Sequence, residues 1–397
     1  MQLLLPTAFG LEAVVAREVR AVAETHGVAL HGVKNENGRV LVQTTDAAAI
    51  PTFNLHLRTA GRVQVLVDHF PCTDFGTLFD RTVALPWEQG IDRRGRFPVA
   101  GRCVRSQLSS EPDAQRLVKK AIATRLSGSA EGRCPEDGAT YPVRIAIDRD
   151  TAWLTIDTTG EGLHRRGYRD DPGAAGLRET LAASLLQLSH WRPGRPLLDP
   201  FCGTGTLLIE AALMARQRAP GLRREFACES WSRLPLSDDP PWRMFSRARA
   251  AAEEQQVAPP GEPLIGCDLD ERQLERARRS AHQAGVADDV TLVRSDVGDL
   301  PGHREIVELT YGCVVTNPPY GQRLEGDDRE RLARLYDSLA WLRAAQPTWG
   351  HFILTAWPDL EATLGTPADR RRNLYNGPIA CTYYQYHGPR PPRPSTS

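Results

Sequence analysis

The sequence lacks the features of a secreted, membrane-spanning or metal-stabilised protein. Its eight cysteines include no Cys-x-x-Cys pair, so neither a zinc site nor a disulfide framework is expected. No apolar run approaches the roughly 20 residues that a bilayer-spanning helix needs. The first residues also lack the basic segment and long apolar run of a signal peptide. We therefore expect a cytoplasmic protein with no membrane partner and no metal ion, and we expect a monomer.

Net charge is also absent, because 49 basic residues balance 49 acidic ones along the 397-residue chain. The balance is uneven, since residues 81–133 hold 11 Lys and Arg residues against 5 Asp and Glu residues. A local basic surface of this kind can bind nucleic-acid phosphates, while overall neutrality limits non-specific binding. The length predicts two or three domains, and 41% hydrophobic with 25% charged residues is typical of a globular protein.

The N-terminal part of the chain predicts a domain at residues 1–70 with the order β-α-β-β-α-β. The spacing of apolar residues predicts helices at 10–24 and 46–57, between strands at 3–5, 28–33, 39–44 and 62–70. This order is the ferredoxin-like arrangement, an α+β fold that hosts many functions.

A second α+β domain is predicted at residues 71–160. Its elements are a strand at 97–104, a helix at 113–126 capped by Asp113, and a hairpin of strands at 141–148 and 151–157. The helix has an apolar side for the core and a basic complement. A basic helix side is often only solvated, but the further arginines nearby favour an RNA-binding surface.

Basic side chains continue into the junction at residues 161–173, which we predict to be a basic linker. A tyrosine lies among its arginines, a pattern that suits contacts with an RNA backbone and its bases. The predicted RNA-binding residues are Arg102, Arg105, Lys119, Lys120, Arg165, Arg166, Tyr168 and Arg169.

Residues 174–388 alternate predicted strands and helices, which indicates a mostly parallel, doubly wound α/β sheet. Asp199 ends a short strand, and a loop with Gly203 and Gly205 leads into a helix. The third glycine of a dinucleotide site and the lysine of a phosphate-binding loop are both absent. An acid before a short Gly-x-Gly instead suits a cationic cofactor with an amino-acid moiety, such as S-adenosylmethionine.

Two further acids follow predicted strands in this domain. Asp268 ends the next strand, where a carboxylate can accept both ribose hydroxyls of a nucleoside. Asp296 follows a third strand and could accept a hydrogen bond from an adenine amino group or merely cap the next turn. The segment at 217–262 is an insertion, whose residues Trp231 and Trp242 are core packing or a substrate wall.

The sequence Asn317-Pro318-Pro319-Tyr320 follows a buried strand at 313–316. The prolines end the strand and leave an amide, carbonyls and an aromatic ring at the edge where open α/β sheets bind ligands. Asn317 and the Pro318 carbonyl can accept the two hydrogens of an amino group on a flat ring, and Tyr320 can stack on that ring. Such groups favour alkylation of the amino nitrogen and require no His or carboxylate base.

The stretch at 97–122 resembles the core of a THUMP domain. The sequences Asp199-Pro200-Phe201-Cys202-Gly203-Thr204-Gly205-Thr206 and Asn317-Pro318-Pro319-Tyr320 resemble the cofactor and amino-methylation motifs of class I S-adenosylmethionine-dependent methyltransferases. Together they are most similar to bacterial 23S rRNA guanine-N2 methyltransferases. The resemblance implies a Rossmann-like methyltransferase sheet behind an RNA-binding half. It implies S-adenosylmethionine bound by Thr180, Asp199, Phe201, Gly203, Gly205, Asp268, Asp296 and Asn317.

The same resemblance implies methyl transfer to guanine N2 with Asn317, Pro318 and Tyr320 at the reacting group. Some family members carry a second methyltransferase domain, and we expect its activity to be missing here. Methylation of a tRNA guanine, methylation of adenine N6 and a non-catalytic RNA-binding role remain alternatives. We leave the arginines at 370–372 as RNA contacts or solvated residues, and expect a disordered tail at 389–397.

Overall fold

The computed structural model describes residues 1–129, 131–169, 176–258, 261–320, 327–390 and 392. The chain divides into two compact units. The N-terminal unit comprises Met1–Thr7, Val15–Leu163 and Gly221–Glu254, and the C-terminal unit comprises Ala8–Val14, His164–Pro220 and Gln255–Ser397.

Strands and helices alternate through most of the described chain. The strands are β1 (Gln2–Pro6), β2 (Leu30–Glu36), β3 (Arg39–Thr44), β4 (Gln64–Pro71), β5 (Val99–Val104), β6 (Val143–Asp148), β7 (Thr151–Asp157), β8 (Leu197–Asp199), β9 (Leu264–Asp268), β10 (Val290–Arg294), β11 (Cys313–Thr316), β12 (Gly350–Thr355), β13 (Arg370–Asn376) and β14 (Ile379–Tyr386). The helices are α1 (Glu12–Thr25), α2 (Ala49–His56), α3 (Phe75–Ala84), α4 (Glu111–Ser127), α5 (Glu179–Leu188), α6 (Thr206–Ala215), α7 (Pro241–Glu254), α8 (Glu271–Ala284), α9 (Arg304–Val307), α10 (Asp327–Ala345) and α11 (Leu360–Thr363).

One sheet of seven strands, in the order β2-β3-β1-β4-β7-β6-β5, runs through the N-terminal unit. The predicted ferredoxin-like order is confirmed over β1 to β4. Its last strand, β4, pairs antiparallel with β7, so a single sheet crosses the predicted boundary between residues 70 and 71. Alternate residues such as Leu3 and Val42 face the buried core, which is the period-2 pattern of a half-buried strand.

Two local features of this unit differ from the sequence prediction. Helix α3 was not predicted, although Asp74 caps it by accepting from the Thr77 N–H at 2.8 Å. Helix α4 begins earlier than expected, and its cap is Ser110 instead of Asp113. The Asp113 N–H donates to the Ser110 hydroxyl, because Asp113 occupies the third helical position rather than the cap.

The insertion belongs mainly to the N-terminal unit, where its residues 221–254 include α7. The Trp231 ring is 4% exposed, stacks on Tyr141 at 4.7 Å, and donates from Nε1 to the Thr140 carbonyl at 2.8 Å. Trp231 is therefore core packing, one of the two alternatives left open for it. Trp242 is exposed and makes no such stack with another ring within the described part of the chain.

The C-terminal unit contains a second seven-stranded sheet, in the order β10-β9-β8-β11-β12-β14-β13. Strands β10, β9, β8, β11 and β12 are parallel, and β14 runs antiparallel to β12, which confirms the predicted mostly parallel sheet. Strand β13 was not predicted, because three arginines begin it and only Leu374 in it is buried. Such a pattern is typical of an edge strand and reads in sequence as a loop.

Buried clusters cover both faces of this sheet. Leu185 of α5 and Ile209 of α6 pack in one cluster, and Tyr336 and Leu339 of α10 in another. Strand and helix approach closely at Gly266, where a Cβ atom would lie 2.3 Å from Leu208 Cδ1. Helices on both faces leave the carboxyl edge of the parallel strands as the open side for a ligand.

The junction also differs from its predicted extent. Residues from His164 onward group with the C-terminal unit, whereas a linker was predicted at 161–173. Residues 170–173 of that linker, and 391 and 393–397 of the predicted disordered tail, lie outside the described residues. Over the ranges that are described, no helix is long and apolar enough to cross a membrane. Nor, in those ranges, do three or more His, Cys, Asp or Glu residues group as metal ligands.

Candidate functional site

A cavity of about 1700 Å³ lies in the C-terminal unit, where the strands β8, β9 and β11 end. Most of the residues predicted to contact the cofactor or the target base line it. These residues are Asp199, Phe201, Gly203, Asp268, Asp296, Asn317, Pro318 and Tyr320. The carboxyl edge of the sheet therefore brings together motifs that are as much as 121 residues apart, from 199 to 320.

The two glycines of the loop between β8 and α6 have different surroundings. Both have positive φ, +51° at Gly203 and +75° at Gly205, which a residue with a side chain rarely adopts. A Cβ on Gly203 would meet no atom within 4 Å, whereas one on Gly205 would lie 3.1 Å from the Ala277 Cβ. Gly203 thus leaves room for a ligand before the N-terminus of α6, and Gly205 lets the loop pack on α8.

Gly205 and Thr180 are not among the described residues that line the cavity. Thr180 lies in the first turn of α5, and its carbonyl accepts from the Ser184 hydroxyl at 2.7 Å. The cavity wall near α5 is formed by its neighbours Leu177 and Arg178. Contact between Thr180 and a cofactor therefore stays a prediction.

Asp268 supports the glycine loop and faces the cavity. Its Oδ2 accepts from the Gly203 N–H at 3.0 Å, and its Oδ1 accepts from the Asp270 N–H at 2.9 Å. Each carboxylate oxygen can accept more than one hydrogen bond. Asp268 can therefore hold the loop and still accept two hydroxyl groups of a ribose.

Asp199 is a buried acid with two hydrogen-bond donors. Its Oδ1 accepts from the Thr316 hydroxyl at 2.7 Å and from the Phe201 N–H at 3.3 Å. Burial raises the pKa of Asp199 to about 7, although these two hydrogen bonds act against it, and the neighbouring charge of Asp268 raises it further. A cation entering the cavity would favour the ionised form, so this acid suits a positively charged ligand.

Asp296 caps the following turn, which is one of the two roles left open for it. This role does not exclude the other, a hydrogen bond from an adenine amino group. The Asp296 Oδ1 accepts from the Gly298 N–H at 2.8 Å and so caps the turn. Among the described residues no donor bonds to its second oxygen, and Asp296 lines the cavity. A capping carboxylate can therefore also accept from an adenine amino group.

The Asn317-Pro318-Pro319-Tyr320 segment is fixed from two sides. The Tyr320 hydroxyl donates to Asn317 Oδ1 and accepts from Asn376 Nδ2 at 3.3 Å. The Tyr336 hydroxyl lies 3.2 Å from the Pro319 carbonyl and can donate to it. Within the described residues no donor reaches the Pro318 carbonyl, which leaves this acceptor for a ligand. Burial raises the pKa of Tyr320, so its hydroxyl is a neutral donor at physiological pH.

Sequence reasoning missed the contribution of the hairpin between β13 and β14. Asn376 ends β13, Gly377 and Pro378 form the turn, and all three line the cavity. The Asn-Gly-Pro sequence between an arginine-rich stretch and a β-branched one was the available signal, because such a turn joins two strands. Asn376 contacts Tyr320, which with Asn317 and Pro318 forms the predicted site for the target amino group, hereafter the clamp.

Two predicted RNA-binding residues of the junction are buried, which corrects their assignment. Arg166 and Tyr168 are 5% and 3% exposed. Arg166 Nε donates to Glu210 Oε1 at 3.3 Å, and the Tyr168 hydroxyl donates to the same oxygen at 3.1 Å. Glu210 is fully buried, so Arg166 neutralises this internal carboxylate, Tyr168 donates a hydrogen bond to it, and neither side chain is available to RNA.

Arg169 also contacts protein groups, and these belong to the cofactor loop. Its Nη2 donates to the Thr206 hydroxyl at 2.7 Å and the Thr204 hydroxyl at 3.2 Å, and its Nη1 lies 3.6 Å from Glu179. Thr204 and Thr206 both line the cavity. Arg169 is therefore placed to hold the loop, whereas Arg165, the other predicted residue here, is exposed.

The predicted RNA-binding residues of the N-terminal unit differ in their exposure. Arg102, Arg105 and Lys120 are exposed. Lys119 is half-buried, since its Nζ lies 2.7 Å from Glu136 Oε2 and 4.8 Å from the centroid of the Phe97 ring. Three of the four side chains are therefore accessible to a phosphate backbone.

Comparison with protein families matches all three parts of the chain. Residues 166–385 match the family described as the RMKL-like methyltransferase domain. Residues 2–64 match the RlmL ferredoxin-like domain, and residues 72–157 match the THUMP domain.

Individual relatives match over nearly the full length. The Bacillus subtilis protein named "Putative RNA methyltransferase YpsC" is 39% identical over 380 residues, which are 95% of this chain and 93% of that protein. A Listeria monocytogenes structure, described as a predicted N6-adenine-specific DNA methylase, is 40% identical with a TM-score of 0.85, covering 98% of this chain and 96% of its own. The structure described as "SMU.472, a putative methyltransferase complexed with SAH" is 36% identical with a TM-score of 0.86, covering 98% of this chain and 99% of its own.

These matches confirm the family predicted from the THUMP core and the two methyltransferase motifs. The family model covers more than half of the chain, and the relatives cover almost all of it. The protein therefore belongs to the RMKL-like methyltransferase family, with a ferredoxin-like domain and a THUMP domain ahead of its methyltransferase domain.

Proposed function

We propose that the protein transfers a methyl group from S-adenosylmethionine to the exocyclic N2 amino group of a guanine in structured RNA, and that this RNA is 23S rRNA. The observation that carries the proposal is that Asn317, Pro318 and Tyr320 line the same cavity as Gly203 and its loop. This shared cavity supports a clamp for an aromatic amino group beside a site for a nucleoside cofactor. The THUMP match and the name of the B. subtilis relative support RNA as the substrate.

The cofactor is S-adenosylmethionine, as in the related methyltransferase solved with SAH. It supplies an electrophilic methyl group on a sulfonium. Asp268 would accept the ribose hydroxyls, Asp296 would accept from the adenine amino group, and the open side of Gly203 would admit the methionine end. The buried acid Asp199 suits the positive charge of this ligand. Carboxylates and a glycine turn at a helix N-terminus are the groups such a ligand requires.

The clamp residues hold the amino group that reacts. Asn317 Oδ1 and the Pro318 carbonyl accept its two hydrogens, which orients the nitrogen and favours its pyramidal form. The nitrogen would bond to the methyl carbon as the bond from that carbon to the sulfonium sulfur breaks, which leaves a neutral thioether. The nitrogen afterwards loses a proton to solvent, so no base is needed at pH 7. Neutral acceptors that are already in position stabilise the developing positive charge.

The Tyr320 hydroxyl shares its acceptor with the target amino group. In the structure this hydroxyl donates to Asn317 Oδ1, and an amide oxygen has two lone pairs, so Asn317 can accept from the hydroxyl and from the amino group together. Asn376 Nδ2 donates to the same hydroxyl and helps to hold it. The Tyr320 ring would stack on an extruded base, as enzymes that modify bases require.

The N-terminal unit would supply RNA affinity and no chemistry. Its exposed residues Arg102, Arg105 and Lys120 suit phosphate contacts. We include a cytoplasmic location and a monomeric state in the proposal.

The direct test incubates the protein with labelled S-adenosylmethionine and, in separate reactions, bulk unmodified rRNA, unmodified tRNA and duplex DNA. We expect label in N2-methylguanosine of the rRNA. Label in N6-methyladenine of duplex DNA would favour the second candidate, for which the specific observation is the 40% identical Listeria protein described as a predicted N6-adenine-specific DNA methylase. Label in tRNA but not in rRNA would keep the chemistry and replace the substrate.

A variant test examines the clamp. Asn317→Ala should lower turnover by a factor on the order of 100 or more, because an acceptor for the reacting group is lost. SAH affinity, measured by calorimetry, should stay near wild type. Gln255→Ala, which removes an exposed amide from the same unit, is the matched control. Wild-type turnover in Asn317→Ala would show that Asn317 does not hold the amino group, and absence of any SAH binding heat in the wild type would indicate a non-catalytic RNA-binding protein.

A further inference from the structure

We propose that the exposed rings of Phe9 and Tyr375 form a stacking surface for the unpaired RNA nucleotides that flank the target base, with Arg370 as a phosphate contact. This inference rests on the proposed function, since it concerns how the RNA enters the same cavity. We call these residues the Phe9/Tyr375 surface. The Phe9/Tyr375 surface includes no residue of the clamp or of the THUMP domain.

The two rings are exposed and in contact with each other. Phe9 is 59% exposed and Tyr375 is 45% exposed, and their centroids lie 6.5 Å apart in an edge-to-face arrangement. Among the described residues, no other two exposed Phe, Tyr or Trp rings contact each other. The fold does not need them for its core, because Leu374 fills the buried position on the same strand. Large rings exposed side by side are typical of a binding surface.

The surface lies on the strand that leads to the cavity. Tyr375 immediately precedes Asn376, which lines the cavity and donates to the Tyr320 hydroxyl. Phe9 belongs to the segment Ala8–Val14 of the same unit, and the next residue, Gly10, approaches β13 so closely that a Cβ would lie 2.8 Å from the Asn373 carbonyl oxygen. Because neighbouring side chains of a strand point to opposite faces and β13 is the edge strand, RNA stacked on these rings would reach the cavity around this edge of the sheet.

The charge on the strand suits an RNA backbone. Strand β13 begins with three arginines, of which Arg370 and Arg371 are exposed. Arg371 donates to Glu361 Oε1 at 2.8 Å, whereas within the described residues Arg370 makes no ion pair. Arg370 lies about 17 Å along the strand from Tyr375 and on its opposite face, so an RNA strand that reaches both would pass over the edge of β13, a path that several nucleotides can span.

Single-stranded RNA is the occupant that these groups favour. Aromatic rings stack on any base, and arginines on the same element neutralise the phosphates that connect the bases. The other conceivable occupant is a second copy of the chain, because β13 is the edge strand of its sheet. Charged side chains on an edge strand discourage edge-to-edge pairing, so RNA fits better.

The test uses the full chain, labelled S-adenosylmethionine and bulk unmodified rRNA. The double variant Phe9→Ala/Tyr375→Ala should raise the KM for RNA about tenfold or more, because the stacking contact with each base is lost. SAH affinity by calorimetry and the thermal unfolding midpoint should not change. Trp341→Ala, which removes an exposed ring from α10 of the same unit, is the matched control.

Two more variants separate stacking from a general defect. Tyr375→Trp keeps an aromatic ring and should keep the wild-type KM. Arg370→Gln should raise the KM and reduce the slope of log affinity against log salt by about one unit, while the exposed Arg192→Gln should change neither.

The outcomes distinguish this inference from the proposed function. If the wild type methylates guanine N2 and the double variant keeps its KM within about twofold, the surface does not bind RNA and the proposed function stands. If the double variant changes only the oligomeric state in gel filtration, the surface binds a second copy and the inference is wrong. If the wild type labels no RNA, the proposed function fails and this inference fails with it.

Discussion

Two basic stretches of the chain, one in the junction and one in the N-terminal unit, have similar residues but differ in burial. In the junction, Arg166 and Tyr168 are buried against Glu210 and Arg169 contacts the cofactor loop. In the N-terminal unit, Arg102 and its neighbours Arg105 and Lys120 are exposed. Basic composition alone therefore does not identify an RNA-binding surface.

The difference is set by an acid in a distant helix. Glu210 lies in the middle of α6, whose other residues are nearly all apolar and buried. A carboxylate in such a place has to be paired, and Arg166 supplies the positive charge. A lone acid within an apolar helix was the available signal that some arginine elsewhere would be internal.

Removing Arg166 should have the largest effect on stability. Burial alone would lower the pKa of the Arg166 guanidinium, but the charge of Glu210, the hydrogen bond to it and the neighbouring Tyr168 and Glu179 together outweigh burial, and the pKa is raised. Arg166→Ala leaves Glu210 buried without its cation and should lower the free energy of unfolding by about 3–5 kcal/mol. Urea unfolding followed by tryptophan fluorescence measures this.

Arg102→Ala is the control for that comparison, because its side chain is exposed in the N-terminal unit. It should change the free energy of unfolding by no more than about 0.5 kcal/mol. Equal losses in the two variants would contradict the distinction between the buried and the exposed stretch.

The second prediction contrasts two buried acids of the C-terminal unit. Glu210 is ion-paired with Arg166, whereas no Lys or Arg of the described residues pairs with Asp199. Burial raises the pKa of Asp199 from its ordinary 3.8 to about 7. The folded protein then binds a proton more tightly than the unfolded chain, so stability falls as pH rises from about 4 to about 7, by at most about 4 kcal/mol.

Asp199→Asn tests this pH dependence, because the amide oxygen can still accept from Thr316. Without cofactor, the variant should match the wild type near pH 4 and be more stable than it at pH 8. Urea unfolding at the two pH values measures the difference. A wild type that gains stability over this range relative to the variant would show that Asp199 is ionised in the folded protein.

Sequence reasoning found the features that have a local pattern and missed those that depend on contacts between distant residues. The glycine loop, Asp268 and the Asn-Pro-Pro-Tyr clamp were found because each is a local pattern at the end of a strand, and the strand order brings them together. The pairing of Arg166 with Glu210, 44 residues away, has no local pattern. The insertion likewise gave no sign that Trp231 would stack on Tyr141.

The edge strand β13 was missed for a different reason. Strand β13 buries only Leu374, so its alternation is too weak to recognise. As a result Asn376, which contacts Tyr320 and lines the cavity, was absent from the predicted site. Functional residues on edge hairpins are visible only once the sheet order is known.

The third prediction concerns Arg169, a half-buried residue of the junction whose guanidinium contacts the cofactor loop. Its bonds to Thr204 and Thr206 hold the loop in the cavity wall. Arg169→Ala should weaken SAH binding about tenfold, which is the loss of roughly one charge-assisted hydrogen bond. Arg169→Lys should restore part of the affinity, and Arg192→Ala, at an exposed arginine of the same unit, should leave it unchanged. Calorimetry would contradict the assignment if Arg169→Ala bound SAH like the wild type.

The smallest effect on stability is expected for the exposed residues of the N-terminal unit, where the effect on RNA should be clearest. The triple variant Arg102→Ala/Arg105→Ala/Lys120→Ala should reduce the salt slope of rRNA affinity by about three, one for each phosphate contact. Its free energy of unfolding should change little, since each side chain is exposed. Arg247→Ala, exposed in the same unit and ion-paired with Asp239, should leave the slope unchanged. An unchanged slope in the triple variant would mean that exposure is no better than composition as a guide to RNA contact, and that phosphates are bound elsewhere.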